Sequence, residues 1–162
     1  MLDLPIDVVR FDHVAIAAWD ASGPARMLTD VLGARFLTGG DEHRAGFRWL
    51  QFTLPDGKVE VIEPLTEDSF LFRFLSRRGP GLHHVTLFVR DLQDSLPVLS
   101  AAGFEPADVD LSHESWKEAF LHPRDTGGVL IQLAQVAEGS QPPPPQRPLA
   151  EFLADRPGLG PR

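Results

Sequence analysis

Side chains that can bind a metal ion recur at matched positions in the two halves of this chain. A histidine opens each of the apolar stretches HVAIAAWD and HVTLFVRD, as His13 and His84. Glu60 and Gln132 follow these histidines after 47 and 48 residues (13→60 and 84→132). Two imidazoles, a carboxylate and an amide oxygen make a shell for a divalent metal with positions left for water or substrate. The residue types and their spacing therefore predict a divalent-metal site.

The neighbours of these residues support a shared polar site. Because side chains alternate along a strand, His13 shares its face with the small residues Ala15 and Ala17, which suit the wall of a cavity. The bulky residues of the same strand then face the helices. Glu60 lies between two valines, where a buried carboxylate needs a cation, a hydrogen-bond network or solvent. Each residue alone could be a separate satisfied polar group, but matched positions in two copies favour a joint site.

A helix and further strands must hold each histidine strand in place. The first helix is expected to end at Gly33 and the second at Gly103, which lie 20 and 19 residues after His13 and His84 (13→33 and 84→103). Two or three strands follow each helix, so the chain is predicted to contain an internal duplication. The first helix carries an apolar stripe expected to face the core, formed by Met27, Leu28, Val31 and Leu32.

Composition narrows the class of protein. The chain has 162 residues, a formal net charge of −8 and no cysteine, which argues against a nucleic-acid partner, a disulfide framework and a thiolate metal site. We expect a cytoplasmic protein, because the sequence has neither a signal peptide nor an apolar run near the ~20 residues that a membrane span needs. Residues 136–162 are rich in Pro, Gly and polar residues, and they are expected to form a mobile tail.

The chain resembles the vicinal oxygen chelate superfamily, which includes glyoxalases and bleomycin-resistance proteins, and within it the methylmalonyl-CoA epimerases. The likeness rests on FDHVAIA, GKVEVIEPL, GPGLHHV and AFLHPRDTGGVLIQL, within residues 10–135. It implies an α+β fold in which two βαβββ modules form a pseudo-two-fold, eight-stranded open cup. The implied domain covers residues 1–135, with modules at 10–65 and 82–135 and a linker helix within 66–81.

The resemblance also implies the chemistry of the site. The expected reaction is proton abstraction next to a thioester or carbonyl by an isomerase or lyase, with Co, Mn, Ni, Zn or Fe as the divalent ion. The substrate would be a small molecule such as an acyl-CoA, and the protein a homodimer. The implied metal ligands are His13, Glu60, His84 and Gln132, the catalytic residue is Glu60, and the substrate-binding residues are Gln51, Thr86 and His122.

The chain departs from the family at Gln132, where the epimerases normally have glutamate. An amide can coordinate a metal through its oxygen, but it cannot take up a proton at neutral pH. Glu60 is then the expected carboxylate for proton transfer, and the epimerase activity of the native chain must be tested. Other functions on the same fold stay open, namely a glyoxalase I-like isomerase, an Fe(II) dioxygenase and a ligand-binding protein without turnover.

Overall fold

The structure is a computed structural model that describes residues 5–161, and within them it contains eight strands and four α-helices. No helix in this part of the chain has the length and apolar character needed to cross a membrane. The strands are β1 (Val8–Ala17), β2 (Arg35–Glu42), β3 (Phe47–Leu54), β4 (Gly57–Pro64), β5 (Gly81–Val89), β6 (Ala107–Asp110), β7 (Lys117–Leu121) and β8 (Leu130–Gln135). The helices are α1 (Ser22–Arg26), α2 (Phe70–Arg78), α3 (Leu92–Ala101) and α4 (Leu149–Ala154).

All eight strands belong to one mixed sheet in the order β2-β3-β4-β1-β5-β8-β7-β6. The pairs β2–β3, β3–β4, β6–β7 and β7–β8 are antiparallel, whereas β5 and β8 are parallel. A strand, a helix and three strands occur twice in the chain, so the predicted α+β class and its βαβββ repeat are confirmed. The predicted module limits stay a prediction.

Two compact units contain the described residues. One runs up to His13 and continues through His83–Gln141, and we call it the His84 unit. The other comprises Val14–Leu82 and the chain from Pro142 onward, and we call it the Glu60 unit.

The Glu60 unit has two apolar clusters. One cluster packs Ala25 and Leu28 against Leu50, Phe52 and Val61 of β3 and β4. The second cluster contains Ala15, Ala17 and Ile62 together with Leu71 and Leu75 of α2. The expectation that Ala15 and Ala17 line a cavity is therefore wrong. Their small side chains contribute to a core in which α2 is packed, and alternation alone could not show which element would cover them.

The first helix also differs from its predicted stripe. Leu28 is buried, but Met27, Val31 and Leu32 are exposed. The chain from Met27 to Val31 forms a π-helical turn, in which the amide of Leu32 donates to the carbonyl of Met27 at 3.1 Å. The wider turn changes the angle between successive side chains, so a 3.6-residue period misplaces the stripe. The helix ends as predicted, with Gly33 at a φ of 68°.

The core of the His84 unit lies between α3 and the sheet. Val89, Leu133 and Ala119 of β5, β8 and β7 pack with Leu92 and Leu99 of α3. The Asp91 side chain caps α3 by accepting from the amide of Asp94 at 2.9 Å. In this unit the bulky face of the histidine strand packs under the helix, as predicted. The opposite face of the strand carries His84 and Thr86 together with Phe88.

The C-terminal segment (residues 142–161) packs against the Glu60 unit, in contrast to the expected mobile tail. Phe152 of α4 is 1% exposed and belongs to the cluster that contains Phe52. Arg48 of β3 is fully enclosed and donates to the carboxylates of Asp41 at 2.6 Å, Glu63 at 2.9 Å and Asp155 at 2.9 Å. A buried aromatic ring and the ion pairs of a buried arginine thus anchor the segment.

Candidate metal centre

His13 lies in β1 and is held by its neighbours in sequence. Its Nδ1 lies 2.8 Å from Oδ2 of Asp12, and both side chains are buried. Oδ1 of Asp12 accepts from Arg10, whose Nη2 is 3.1 Å away. A carboxylate at Nδ1 favours the proton on that nitrogen, so Nε2 carries the lone pair with which an imidazole binds a metal.

His84 lies in β5, with His83 as its partner. The Nδ1 atoms of the two rings are 2.8 Å apart, and the ring centroids of His84 and His13 are separated by 5.5 Å. Burial, together with the nearby His83 and His13 rings, lowers the pKa of His84 to about 3. Burial also lowers the pKa of His83 to about 4. Both rings are therefore neutral at pH 7, and neutral imidazole is the form that coordinates metal ions.

Thr86 connects His13 to Gln132. Thr86 and Gln132 are register partners in the parallel pair of β5 and β8, which places their side chains on the same face. The Thr86 hydroxyl donates to Oε1 of Gln132 at 2.6 Å, and its oxygen lies 3.0 Å from Nε2 of His13. The Thr86 oxygen thus contacts both the amide of Gln132 and the ring of His13.

Glu118 of β7 holds the other end of the Gln132 amide. Nε2 of Gln132 donates to Oε2 of Glu118 at 2.7 Å. The indole Nε1 of Trp116 donates to the same oxygen at 2.8 Å. Arg10, Asp12, His13, Thr86, Gln132, Glu118 and Trp116 therefore form one chain of polar contacts within the His84 unit.

Glu60 is placed by β4 in the Glu60 unit. It is the register partner of Gln51 on β3, and Nε2 of Gln51 donates to Oε2 of Glu60 at 2.8 Å. The Glu60 side chain is buried, and its position on the face of Ile62 follows from strand alternation.

His13, Glu60 and His84 form a group of buried donors that could hold a metal ion. Two imidazoles and one carboxylate suit Zn, Fe, Co, Ni and Mn, and the charge of a divalent cation would offset that of the buried carboxylate. Donor chemistry and burial therefore fit the predicted cofactor class.

The structure assigns different surroundings to the other predicted site residues. Thr86 is completely buried and binds His13 and Gln132. His122 lies in an exposed turn, where its Nδ1 accepts from the amide of Arg124 at 3.1 Å. Asp12 and Trp116 were not predicted as site residues from the sequence. The adjacent pair Asp12–His13 was a possible signal, whereas the contact of Trp116 depends on tertiary structure.

Known proteins resemble this chain over most of its length. The model of the Glyoxalase/Bleomycin resistance protein/Dioxygenase superfamily matches residues 12–120. The ethylmalonyl-CoA/methylmalonyl-CoA epimerase of Cereibacter sphaeroides is 33% identical over 131 residues, which cover 78% of this chain and 98% of that protein. The mitochondrial methylmalonyl-CoA epimerase of Homo sapiens is 30% identical over 129 residues, which cover 78% of this chain and 73% of that protein.

A solved structure agrees with these relatives. The crystal structure of methylmalonyl-CoA epimerase from Mycobacterium tuberculosis matches with a TM-score of 0.72 and 29% identity. The match covers 85% of this chain and 93% of that one. This chain therefore belongs to the Glyoxalase/Bleomycin resistance protein/Dioxygenase superfamily.

Proposed function

We propose that this protein is a divalent-metal-dependent epimerase that moves the proton next to the thioester carbonyl of an acyl-CoA such as methylmalonyl-CoA. The observation that carries the proposal is the buried donor group of His13, Glu60 and His84. The epimerase relatives supply the substrate class. The proposal of isomerase activity thus rests on two grounds, the donor group in this chain and the activity named for its relatives.

The metal would be held by His13, Glu60 and His84, with Gln132 as a neutral oxygen donor. Asp12 and His83 support this assignment, since each contacts Nδ1 of the histidine that follows it. Such contacts fix the orientation of a ligand histidine and, with a carboxylate, raise its basicity. Gln132 fits because its amide oxygen is directed toward the Thr86 hydroxyl beside His13.

Proton transfer is assigned to Glu60. A bound divalent ion supplies Lewis-acid stabilisation of negative charge on the carbonyl oxygen of the substrate. The carboxylate of Glu60 would take the proton from the carbon next to that carbonyl, and the hydrogen bond from Gln51 orients it for this step. A proton from water would return to the opposite face of that carbon, which inverts it. Gln132 cannot do this work, because an amide does not accept a proton at neutral pH.

The surface of α2 has a groove rich in arginine, which supports the proposal of an anionic substrate. Arg73, Arg77 and Arg78 line a groove of about 250 Å³ together with Phe70 and Phe74. Guanidinium groups form bidentate hydrogen bonds with phosphate, so this groove suits the phosphates of a CoA thioester.

Epimerisation of a single stereoisomer of methylmalonyl-CoA tests the proposal. Replacing a general base typically slows a reaction by about 10²–10⁴-fold, so Glu60→Gln should lower the rate by at least about a hundredfold. Glu138→Gln removes the same charge from an exposed loop and should leave the rate unchanged. A Glu60→Gln protein with the native rate would show that another group removes the proton.

The donor group also matches a second reaction class. Two histidines and one carboxylate form the ligand set of non-haem Fe(II) oxygenases. Oxygen uptake by the Fe(II)-loaded protein, with no proton exchange in any acyl-CoA, would favour this alternative over an epimerase.

A further inference from the structure

Each unit contains an amide–carboxylate pair between its last two antiparallel strands. In the Glu60 unit, the amide of Gln51 on β3 donates to the carboxylate of Glu60 on β4 at 2.8 Å. In the His84 unit, the amide of Gln132 on β8 donates to the carboxylate of Glu118 on β7 at 2.7 Å. The two pairs have the same chemistry, but the strands that carry the carboxylate and the amide are exchanged.

The contacts of Glu118 fix which way the Gln132 amide points. An ionised carboxylate only accepts hydrogen bonds, so it must face the NH₂ group of the amide. Trp116, whose indole N–H only donates, binds the same carboxylate oxygen at 2.8 Å. The amide oxygen is thereby turned to the opposite side, where it accepts from Thr86 at 2.6 Å beside His13.

We infer that Glu118 is a positioning residue, which holds the Gln132 amide so that its oxygen, and not its nitrogen, is presented on the side of His13. This inference rests on the proposed function, because the amide oxygen is directed to the metal that the site would bind. Without Glu118, Gln132 could present its NH₂ group, which is not a metal ligand.

The pair also explains why an amide stands at position 132. A carboxylate there would lie within hydrogen-bond distance of Glu118, and two carboxylates cannot both stay ionised at such a distance without a large cost. Exchanging both residues removes the conflict, since an amide at position 118 can donate to a carboxylate at position 132 and still accept from Trp116. Gln132 and Glu118 therefore form a matched pair within this unit.

The thermal unfolding midpoint of the metal-free protein tests the pairing. Gln132→Glu should lower the midpoint clearly, and adding Glu118→Gln to that variant should restore most of the loss. Glu118→Gln alone should change the midpoint only slightly, because the amide carbonyl introduced at position 118 can accept from both Gln132 and Trp116. If Gln132→Glu is equally harmful with and without Glu118→Gln, the two residues are not a pair and the inference is overturned.

Titration with Co²⁺, followed by its visible absorption, tests the positioning role. Loss of a residue that orients a metal ligand typically weakens binding by about 10–100-fold, so Glu118→Ala, which removes the acceptor for the Gln132 amide, should raise the Co²⁺ dissociation constant about tenfold. The matched control is Glu114→Ala, which removes the same side chain from an exposed position four residues away and should leave the constant unchanged.

The outcomes separate this inference from the proposed function. Unchanged Co²⁺ affinity in Glu118→Ala, with Co²⁺ bound by the native chain, would overturn the positioning role alone. A native chain that binds no Co²⁺ would overturn both the metal-dependent function and the positioning role, and the unfolding midpoints would still decide the pairing. Weaker Co²⁺ binding by Glu118→Ala, with no epimerase activity in any protein tested, would keep the positioning role and remove the proposed reaction.

Discussion

At the scale of single residues, the Thr86 hydroxyl lies in the middle of the chain of polar contacts in the His84 unit. It is fully buried, donates to Gln132 at 2.6 Å and lies 3.0 Å from His13. Thr86→Val keeps the shape but leaves the Gln132 oxygen without its donor, so the free energy of unfolding should fall by about 1–3 kcal/mol. Urea unfolding measures the change. Thr86→Ser keeps the hydroxyl, so its free energy of unfolding should fall less. A free energy of unfolding that is unchanged in Thr86→Val would show that the hydroxyl does not stabilise the fold.

The buried imidazoles predict a pH dependence for the metal-free protein. The folded pKa of His83 is about 4 and that of His84 about 3, both below the ordinary value of 6.5. Between pH 6.5 and pH 4 the unfolded chain therefore binds more protons than the folded one. The free energy of unfolding should fall as the pH is lowered through this range, by up to about 1.4 kcal/mol per pH unit for each ring.

Urea unfolding at pH 6.5 and pH 5 measures this dependence. His83→Asn removes one of the two rings and should show a smaller loss than the native chain. Equal stability of the native protein at both pH values would mean that these histidines are protonated in the folded state.

Residue types and spacing predicted the donor group but not the residues that position it. His13, Glu60 and His84 could be identified because both modules place them at matched intervals, and the structure assigns all three to one candidate group. The positioning role of Glu118 could not be predicted in this way. Its role depends on the pairing of β7 with β8, and no sequence spacing reports which side chain faces Gln132.

At the scale of elements, the packing of α4 leads to the largest predicted change in stability. Phe152 is 1% exposed and packs in the cluster of Leu50 and Phe52, with its ring 4.5 Å from the guanidinium of Arg147. Phe152→Ala should lower the free energy of unfolding by about 3–5 kcal/mol, because it leaves a cavity in a packed core. Urea denaturation tests this against Glu151→Gln, an exposed position on the same helix expected to change stability by less than about 0.5 kcal/mol. Equal effects of both variants would show that α4 is not anchored by Phe152.

Helix ends marked by glycine were predicted well, whereas the packing of the C-terminal segment, which has no clear period, was not. The helix stops at Gly33 and Gly103 were expected, and both glycines adopt a positive φ. The C-terminal segment has only one short apolar group around Phe152, and its partner is a buried arginine on β3. A sequence pattern does not reveal such a partner, so the segment was expected to be mobile.

At the scale of the whole molecule, metal binding should stabilise the fold. A ligand that binds only the folded state adds about 2.7 kcal/mol at a free concentration of one hundred times its dissociation constant. Co²⁺ should therefore raise the thermal unfolding midpoint of the native protein. It should raise that of His84→Ala much less, because one imidazole of the donor group is lost. Identical shifts in both proteins would locate the Co²⁺ effect elsewhere.

The duplicated organisation could be predicted because both copies keep the same order of elements. A strand, a helix and three strands recur, and the eight strands join one sheet. The substrate could not be predicted in the same way, since it depends on how pockets form around the site. The acyl-CoA class of substrate is a proposal for this chain, and it is supported by the activities named for the relatives.

The most direct test of the metal-dependent epimerase is deuterium exchange at C2 of methylmalonyl-CoA in D₂O, followed by NMR. Metal-stripped protein and the same preparation reloaded with Co²⁺ are compared side by side. The proposed function predicts exchange with the reloaded protein and none with the stripped one, and Glu60→Gln should abolish it. Absence of exchange despite confirmed Co²⁺ occupancy would contradict the epimerase assignment.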